Sequence, residues 1–225
     1  MYTKAQKSFR TALWLLLVFV LWTVAVCLID VEPIGPRGST VGFSAVNAFF
    51  HTLTGVHMSL YVITDWLGLV PIGFGLGFAL LGLVQWIKRK RLKKVDYSLL
   101  VLGGFYLAVL TMYLLFETVV INYRPVLISG FLEVSYPSST TLLVLCVMPT
   151  AIMQFNGRIK NSVLRCCVSV VITVFIIFMV VGRLVAGVHW LSDIVGGALL
   201  SAGLVMLYRF VCLAFSDGKC YNTEK

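Results

Sequence analysis

Charge is scarce in this 225-residue sequence, and acidic charge is scarcest: 9 Asp and Glu stand against 18 Lys and Arg, and charged residues make up 12% of the chain. Hydrophobic residues make up 60%. Too little polarity remains to cover a soluble domain, so the composition indicates a membrane protein. Cysteines occur at 27, 146, 166, 167, 212 and 220, all within apolar runs or on the side of the membrane that carries the basic clusters. No C-x-x-C is present, so neither a disulfide framework nor a thiolate metal site is expected. Histidine is rarer still, with 3 copies and no third ligand near any pair. Internal repeats, low-complexity linkers and outer loops long enough to fold alone are also lacking. A single domain over 1–225 is expected.

What is there is a series of apolar runs near the ~20 residues that a helix needs to cross hydrocarbon. Spans are expected at about 11–29, 66–87, 97–119, 139–155, 166–181 and 190–212. The first follows Lys4, Lys7 and Arg10 but is too long for a signal-peptide core and has no small-x-small cleavage site, so it reads as uncleaved. Pro33, Gly35, Pro36 and Gly38 mark a loop after it. The stretch 41–64 is the ambiguous one. Counted as a span, it would put the basic run 88–94 outside, against the positive-inside rule. It therefore reads as an interfacial or re-entrant helix on the outer side, with His51 and His57 as interfacial polar residues. The expected fold class is an all-α membrane protein with six transmembrane helices plus that outer segment.

The net charge of +9 follows this topology and does not indicate nucleic acid. The run 88–94 reads as an anchor at an anionic leaflet, which makes membrane lipids the partners. Both termini then lie in the cytoplasm, in a multi-pass protein of the plasma membrane. All but three of the 18 basic residues fall inside; the three outside are Arg37, Arg124 and Arg183. Translocated segments are usually poor in arginine, so each asks for a reason.

Two of the three adjoin chemistry. Residues 182–193 read G-R-L-V-A-G-V-H-W-L-S-D, which contains R-x5-H-x3-D. At helical spacing Asp193 can hold His189 in one tautomer and leave the other nitrogen free as a nucleophile, while Arg183 offers a planar fork for phosphate oxygens. An interfacial histidine beside a helix-end arginine explains the same residues about as well. Arg124-Pro125 follows the third span, and Pro137-Ser138-Ser139-Thr140 opens the fourth. Ser and Thr in that place read as a helix N-cap, and the free N–H groups of a helix start also suit an anion.

Taken together, R-P at 124–125, P-S-S-T at 137–140 and R-x5-H-x3-D at 183–193 resemble the three signatures of the type 2 phosphatidic acid phosphatase family, K-x6-R-P, P-S-G-H and S-R-x5-H-x3-D. The resemblance implies a six-helix lipid phosphatase with its site at the outer face. It implies His189 as the nucleophile that forms a phosphohistidine and Asp193 as its orienting partner. Arg124, Arg183 and Ser138, with backbone N–H groups at Ser139, would bind the phosphoryl oxygens. No metal and no cofactor is implied, because arginines and helix N-termini supply the positive field.

Three positions depart from the family pattern. Glu117 stands in place of the lysine, Gly182 in place of the serine, and Thr140 in place of the histidine that protonates the leaving group. A threonine hydroxyl does not ionise near neutral pH, so the acid is missing while the nucleophile is kept. Such a site suits an anhydride, whose phosphate leaves readily as the anion, and points to a prenyl pyrophosphate. Glu117, His51 or His57 could replace the acid if the fold brings them close. The competing reading is a non-catalytic member that binds or transports a lipid phosphate, favoured by Glu117 and Thr140. His189 with Asp193 favours the phosphatase.

Overall fold

The computed structural model describes residues 3–215. Among them the regular structure is helical, with isolated bridges in the loops and no strand. Six helices are long and apolar enough to cross a membrane, as the sequence predicts. Helix α1, Lys4–Leu28, starts at a reciprocal cap between Thr3 and Gln6, which carries it seven residues further back than its apolar run. Helix α2, Ser44–Thr54, has 11 residues, about 16 Å at ~1.5 Å each, and is too short to cross ~30 Å of hydrocarbon. Its first turn is held by Asp30, which accepts from Ser44 Oγ at 2.9 Å and Ala45 N–H at 2.8 Å.

Helices α3, Met58–Leu67, and α4, Leu69–Arg89, form one apolar length of 32 residues that is interrupted only at Gly68. Here the structure corrects the expected boundary. The second span begins at Met58, not at 66, and only α2 remains of the segment expected at 41–64 to lie along the interface. The interleaved polar residues Ser44, Asn47 and His51 gave the whole stretch one interfacial pattern. Gly55, at φ +68°, ends α2 and resets the chain before α3 starts.

Helices α5, Tyr97–Thr118, α6, Ser139–Arg158, α7, Ser162–Val185, and α8, Leu191–Phe215, follow. Half of the most apolar window of α6 and of α8 is buried, against 11–22% in the other four spans. These two are the central helices, and the others turn most of their surface toward lipid. Helix α1 packs along α8 so closely that a Cβ on Gly203 would lie 2.7 Å from Leu16 Cδ2. At the end of the bundle carrying residues 88–94, Gln154 is buried and bonds the Tyr208 hydroxyl at 2.7 Å and the Ser98 carbonyl at 3.2 Å. That network ties α5, α6 and α8 together. The opposite end, where α3 begins and α7 ends, carries the motifs.

Candidate active site

Two loops build the site. The first, residues 119–138, pairs back on itself: Arg124 N–H bonds the Glu133 carbonyl at 3.0 Å and Ser135 N–H the Asn122 carbonyl at 2.9 Å. This brings Asn122, Arg124 and Ser135 to the same place. The second loop, residues 186–190, turns through Gly187 at φ +67°. A Cβ there would lie 1.9 Å from the Gly55 carbonyl oxygen, so the turn against the α2–α3 connection requires glycine.

Arg183, in the last turn of α7, is 1% exposed. Its Nη1 lies 3.6 Å from Asp65 and 3.4 Å from Thr64 Oγ1, and its Nη2 lies 3.4 Å from His189 Nε2. Arg124 approaches from the first loop, and both guanidinium groups face the Tyr61 ring, at 5.0 Å for Arg183 and 5.9 Å for Arg124. Arg124 Nε stands 3.0 Å from Glu133 Oε2 as an ion pair without hydrogen-bond alignment. Arg124 Nη1 and Arg183 Nε are buried and bond nothing in the chain. An unpaired buried donor costs about 1–3 kcal/mol, and two neighbouring cations add repulsion. An anion between them relieves both.

His189 is 3% exposed and sits in the loop, because α8 starts only at Leu191. The four-residue spacing therefore does not place it on one helical face with Asp193. The direct approach of Nδ1 to Asp193 Oδ2 is 4.0 Å, too long for a hydrogen bond. Ser135 fills the gap, with its Oγ 2.9 Å from His189 Nδ1 and 2.5 Å from Asp193 Oδ2. Asp193 is fully buried in the first turn of α8 and also accepts from Asn122 Nδ2 at 3.0 Å and Trp190 N–H at 3.0 Å. Burial, then Arg124, then Arg183, hold the His189 pKa well below 6.5; the contact with Ser135 opposes them. The imidazole is neutral at neutral pH, so its approach to Asp193 is not an ion pair.

The remaining motif residues divide. Ser138 is buried as the N-cap of α6: its Oγ accepts from Thr141 N–H at 3.4 Å and from the Thr141 hydroxyl at 3.0 Å, and its N–H bonds the Asp193 carbonyl at 3.1 Å. Ser139 and Thr140, in the next turn, line a cleft of ≈ 710 Å³ between α3–α4, α5 and α6, beside Asp65, Tyr106 and Tyr113. The rest of the lining is apolar or glycine. Glu117 is exposed on α5 and lines a small adjoining cavity with Ser135, Tyr113 and Ser139, the last two of which also line the cleft. Among the described residues it pairs with neither arginine. The carboxylates that do are Glu133 and Asp65. His57 Nε2 contacts the Thr54 carbonyl at 2.8 Å, and the His51 ring lies 5.5 Å from Trp190.

Sequence reasoning missed Ser135, Asn122, Asp65 and Tyr61. Asp65 carried a signal, since an ionisable residue inside an apolar span is a functional candidate by position alone. Ser135 and Asn122 carried none, being polar residues in a loop.

This bundle has the fold of a transmembrane PAP2-type phosphatase. Among solved structures it is similar to a transmembrane PAP2-type phosphatidylglycerolphosphate phosphatase from Bacillus subtilis, with a TM-score of 0.54 and 20% identity over 92% of this chain and 98% of that one. No family model and no curated protein matches the chain.

Proposed function

We propose that this protein is a lipid phosphatase working through a phosphohistidine on His189, with a prenyl pyrophosphate as its preferred substrate. The observation that carries the reading is the imidazole itself: Nδ1 is engaged by Ser135, and Nε2 faces Arg183 at 3.4 Å. A neutral ring with one nitrogen occupied presents the other as a nucleophile. Nε2 attacks the terminal phosphorus, and the P–O bond to the leaving group breaks with its electron pair going to that oxygen. Arg124 and Arg183 take the charge that spreads over the phosphoryl oxygens. Water then attacks phosphorus, the P–N pair returns to Nε2, and one water proton passes to solvent. In this scheme the arginines supply the positive field, so no metal or cofactor takes part. Ser138 and the N–H of Ser139 belong to the phosphate-binding end of α6.

The apolar cleft beside Thr140 gives the lipid tail a place, and Asp65 on its wall stands 3.6 Å from Arg183. We place the site at the outer face of the plasma membrane and both termini in the cytoplasm, from the basic run 88–94 at the opposite end. A cysteine introduced beside Pro125 then reacts with an impermeant thiol reagent on intact cells, and one beside Lys90 does not. The rival reading, a binder or carrier of lipid phosphates, has no use for an oriented nucleophile.

The test is phosphate release from a panel of prenyl pyrophosphates, prenyl monophosphates and phosphatidic acid by purified protein. Turnover that disappears in His189→Ala supports the phosphatase. Turnover retained in that variant sinks the mechanism, and binding without turnover in the wild type favours the carrier.

A further inference from the structure

Building on the phosphohistidine reading, we propose that Ser135 is a positioning residue through which Asp193 acts on His189. The carboxylate is 4.0 Å from Nδ1 and cannot bond it directly. Nor is it free to move closer. Asp193 Oδ1 accepts from Asn122, its Oδ2 accepts from Trp190 N–H, and both partners are fixed by the loops that carry them. The Ser135 hydroxyl has one proton, and it faces a carboxylate oxygen at 2.5 Å that is otherwise an acceptor. That proton therefore goes to Asp193. What remains on Ser135 Oγ toward His189 is a lone pair, 2.9 Å from Nδ1. Only an Nδ1–H can satisfy it, so Nε2 is left bare and facing Arg183.

Ser135 is itself held. It is 2% exposed, its N–H bonds the Asn122 carbonyl at 2.9 Å, and the next residue, Tyr136, is 1% exposed with its hydroxyl 2.6 Å from Thr23 Oγ1. Without the hydroxyl, Nδ1 has no acceptor within reach, and only the long 3.4 Å contact with Arg183 still favours a bare Nε2. The tautomer with the proton on Nε2 would direct an N–H, not a lone pair, at the phosphorus.

The experiment compares Ser135→Ala, Asp193→Asn and the double variant with wild type in phosphate release, alongside Ser135→Thr, which keeps a hydroxyl. Circular dichroism checks that each is folded. Ser135→Ala is expected to lower kcat about 10- to 100-fold with KM little changed, since orientation is lost and binding is not. Asp193→Asn in the Ser135→Ala background is expected to cost less than about 3-fold more, because two members of one relay are not additive. Ser135→Thr restores part of the loss. A second readout needs no turnover: with only 3 histidines, nitrogen-15 labelling resolves the His189 ring. One tautomer with unprotonated Nε2 is expected in wild type and a mixture in Ser135→Ala. Multiplying losses in the double variant, or an unchanged tautomer in Ser135→Ala, would overturn the assignment. If wild type releases no phosphate from any lipid, the phosphatase reading fails and the tautomer measurement still decides the role of Ser135.

Discussion

Arg183 Nη2 lies 3.4 Å from His189 Nε2, so the residue that would hold the phosphate also rests against the atom that would attack it. A guanidinium can only donate, and the nitrogen it faces is the bare one. On the proposed mechanism the same contact marks the nucleophile and places a cation where the phosphoryl oxygens would lie.

Geometry, not charge alone, is what Arg183 contributes. Its fork reaches Asp65 and Thr64 with Nη1 and His189 with Nη2 while the plane faces Tyr61. A lysine carries the charge, but its donors sit on one nitrogen and it has neither the plane nor the fork. We expect Arg183→Lys to lower kcat by about 10²-fold or more, the usual loss for one aligned transition-state donor. Phosphate release at saturating lipid checks this, and a loss confined to KM would show that Arg183 serves binding only.

The pH dependence follows from His189. Its pKa is lowered from 6.5, first by burial and then by Arg124 and Arg183, while Ser135 opposes the shift and Asp193 lies behind it. On the phosphohistidine mechanism neutral imidazole is the reactive form, so activity should persist as pH falls below 6.5 and be lost only through the lowered value. Replacing Arg124 by Gln removes one of the causes and should move the acid limb upward, toward the ordinary value. Stability has the same sign. The unfolded chain takes up a proton near 6.5 and the folded one does not, so stability falls as pH drops through that window. A kcat/KM profile with an acid limb unmoved in Arg124→Gln contradicts this account.

The sequence made six spans legible because composition and length alone decide them, and it showed Arg124, Arg183, His189 and Asp193 because charge and polarity stand out in apolar runs. The link between His189 and Asp193 was misread for a physical reason. Spacing of four means contact only within a helix, and α8 begins two residues after His189. The filler is Ser135, 54 residues away in sequence, and no local pattern brings it there. Glu117 misled in the opposite sense. It stands where the family pattern has a lysine, yet among the described residues it pairs with neither arginine and lines a small cavity adjoining the cleft, while Asp65 and Glu133 meet the arginines instead.

Gly187 offers a control on how the second loop is set. Both Gly187 and Gly38 have positive φ, +67° and +74°, so alanine strains either backbone by about 1–2 kcal/mol. Around Gly38 a Cβ meets nothing, while at Gly187 it collides with the Gly55 carbonyl. Gly187→Ala should therefore displace residues 186–190 and lower both activity and the unfolding temperature more than Gly38→Ala does. Equal effects in thermal unfolding and phosphate release would mean that the close approach is not what fixes His189.

On the proposed mechanism, Thr140 sets the substrate preference. Cleaving a phosphate monoester expels an alkoxide, which needs a proton in the transition state; cleaving a pyrophosphate expels a phosphate anion that arginine alone can stabilise. Three residues could have supplied a replacement acid, and none of them lines the cleft beside Thr140: His57 is turned to Thr54, the His51 ring lies against Trp190, and Glu117 faces the other cavity. The carboxylate that does line it, Asp65, stands 3.6 Å from Arg183 and is an acceptor in that pair. We expect the wild type to favour a prenyl pyrophosphate over its monophosphate and over phosphatidic acid. Thr140→His should raise monoester turnover by about 10-fold or more, a fraction of the roughly 10²- to 10⁴-fold that a well-placed general acid contributes, and change the pyrophosphate rate little. Asp65→Asn separates the remaining possibility, because a loss confined to monoesters would make Asp65 the acid. Equal wild-type rates on both substrate classes would mean that a proton donor is present and that the threonine does not set the preference.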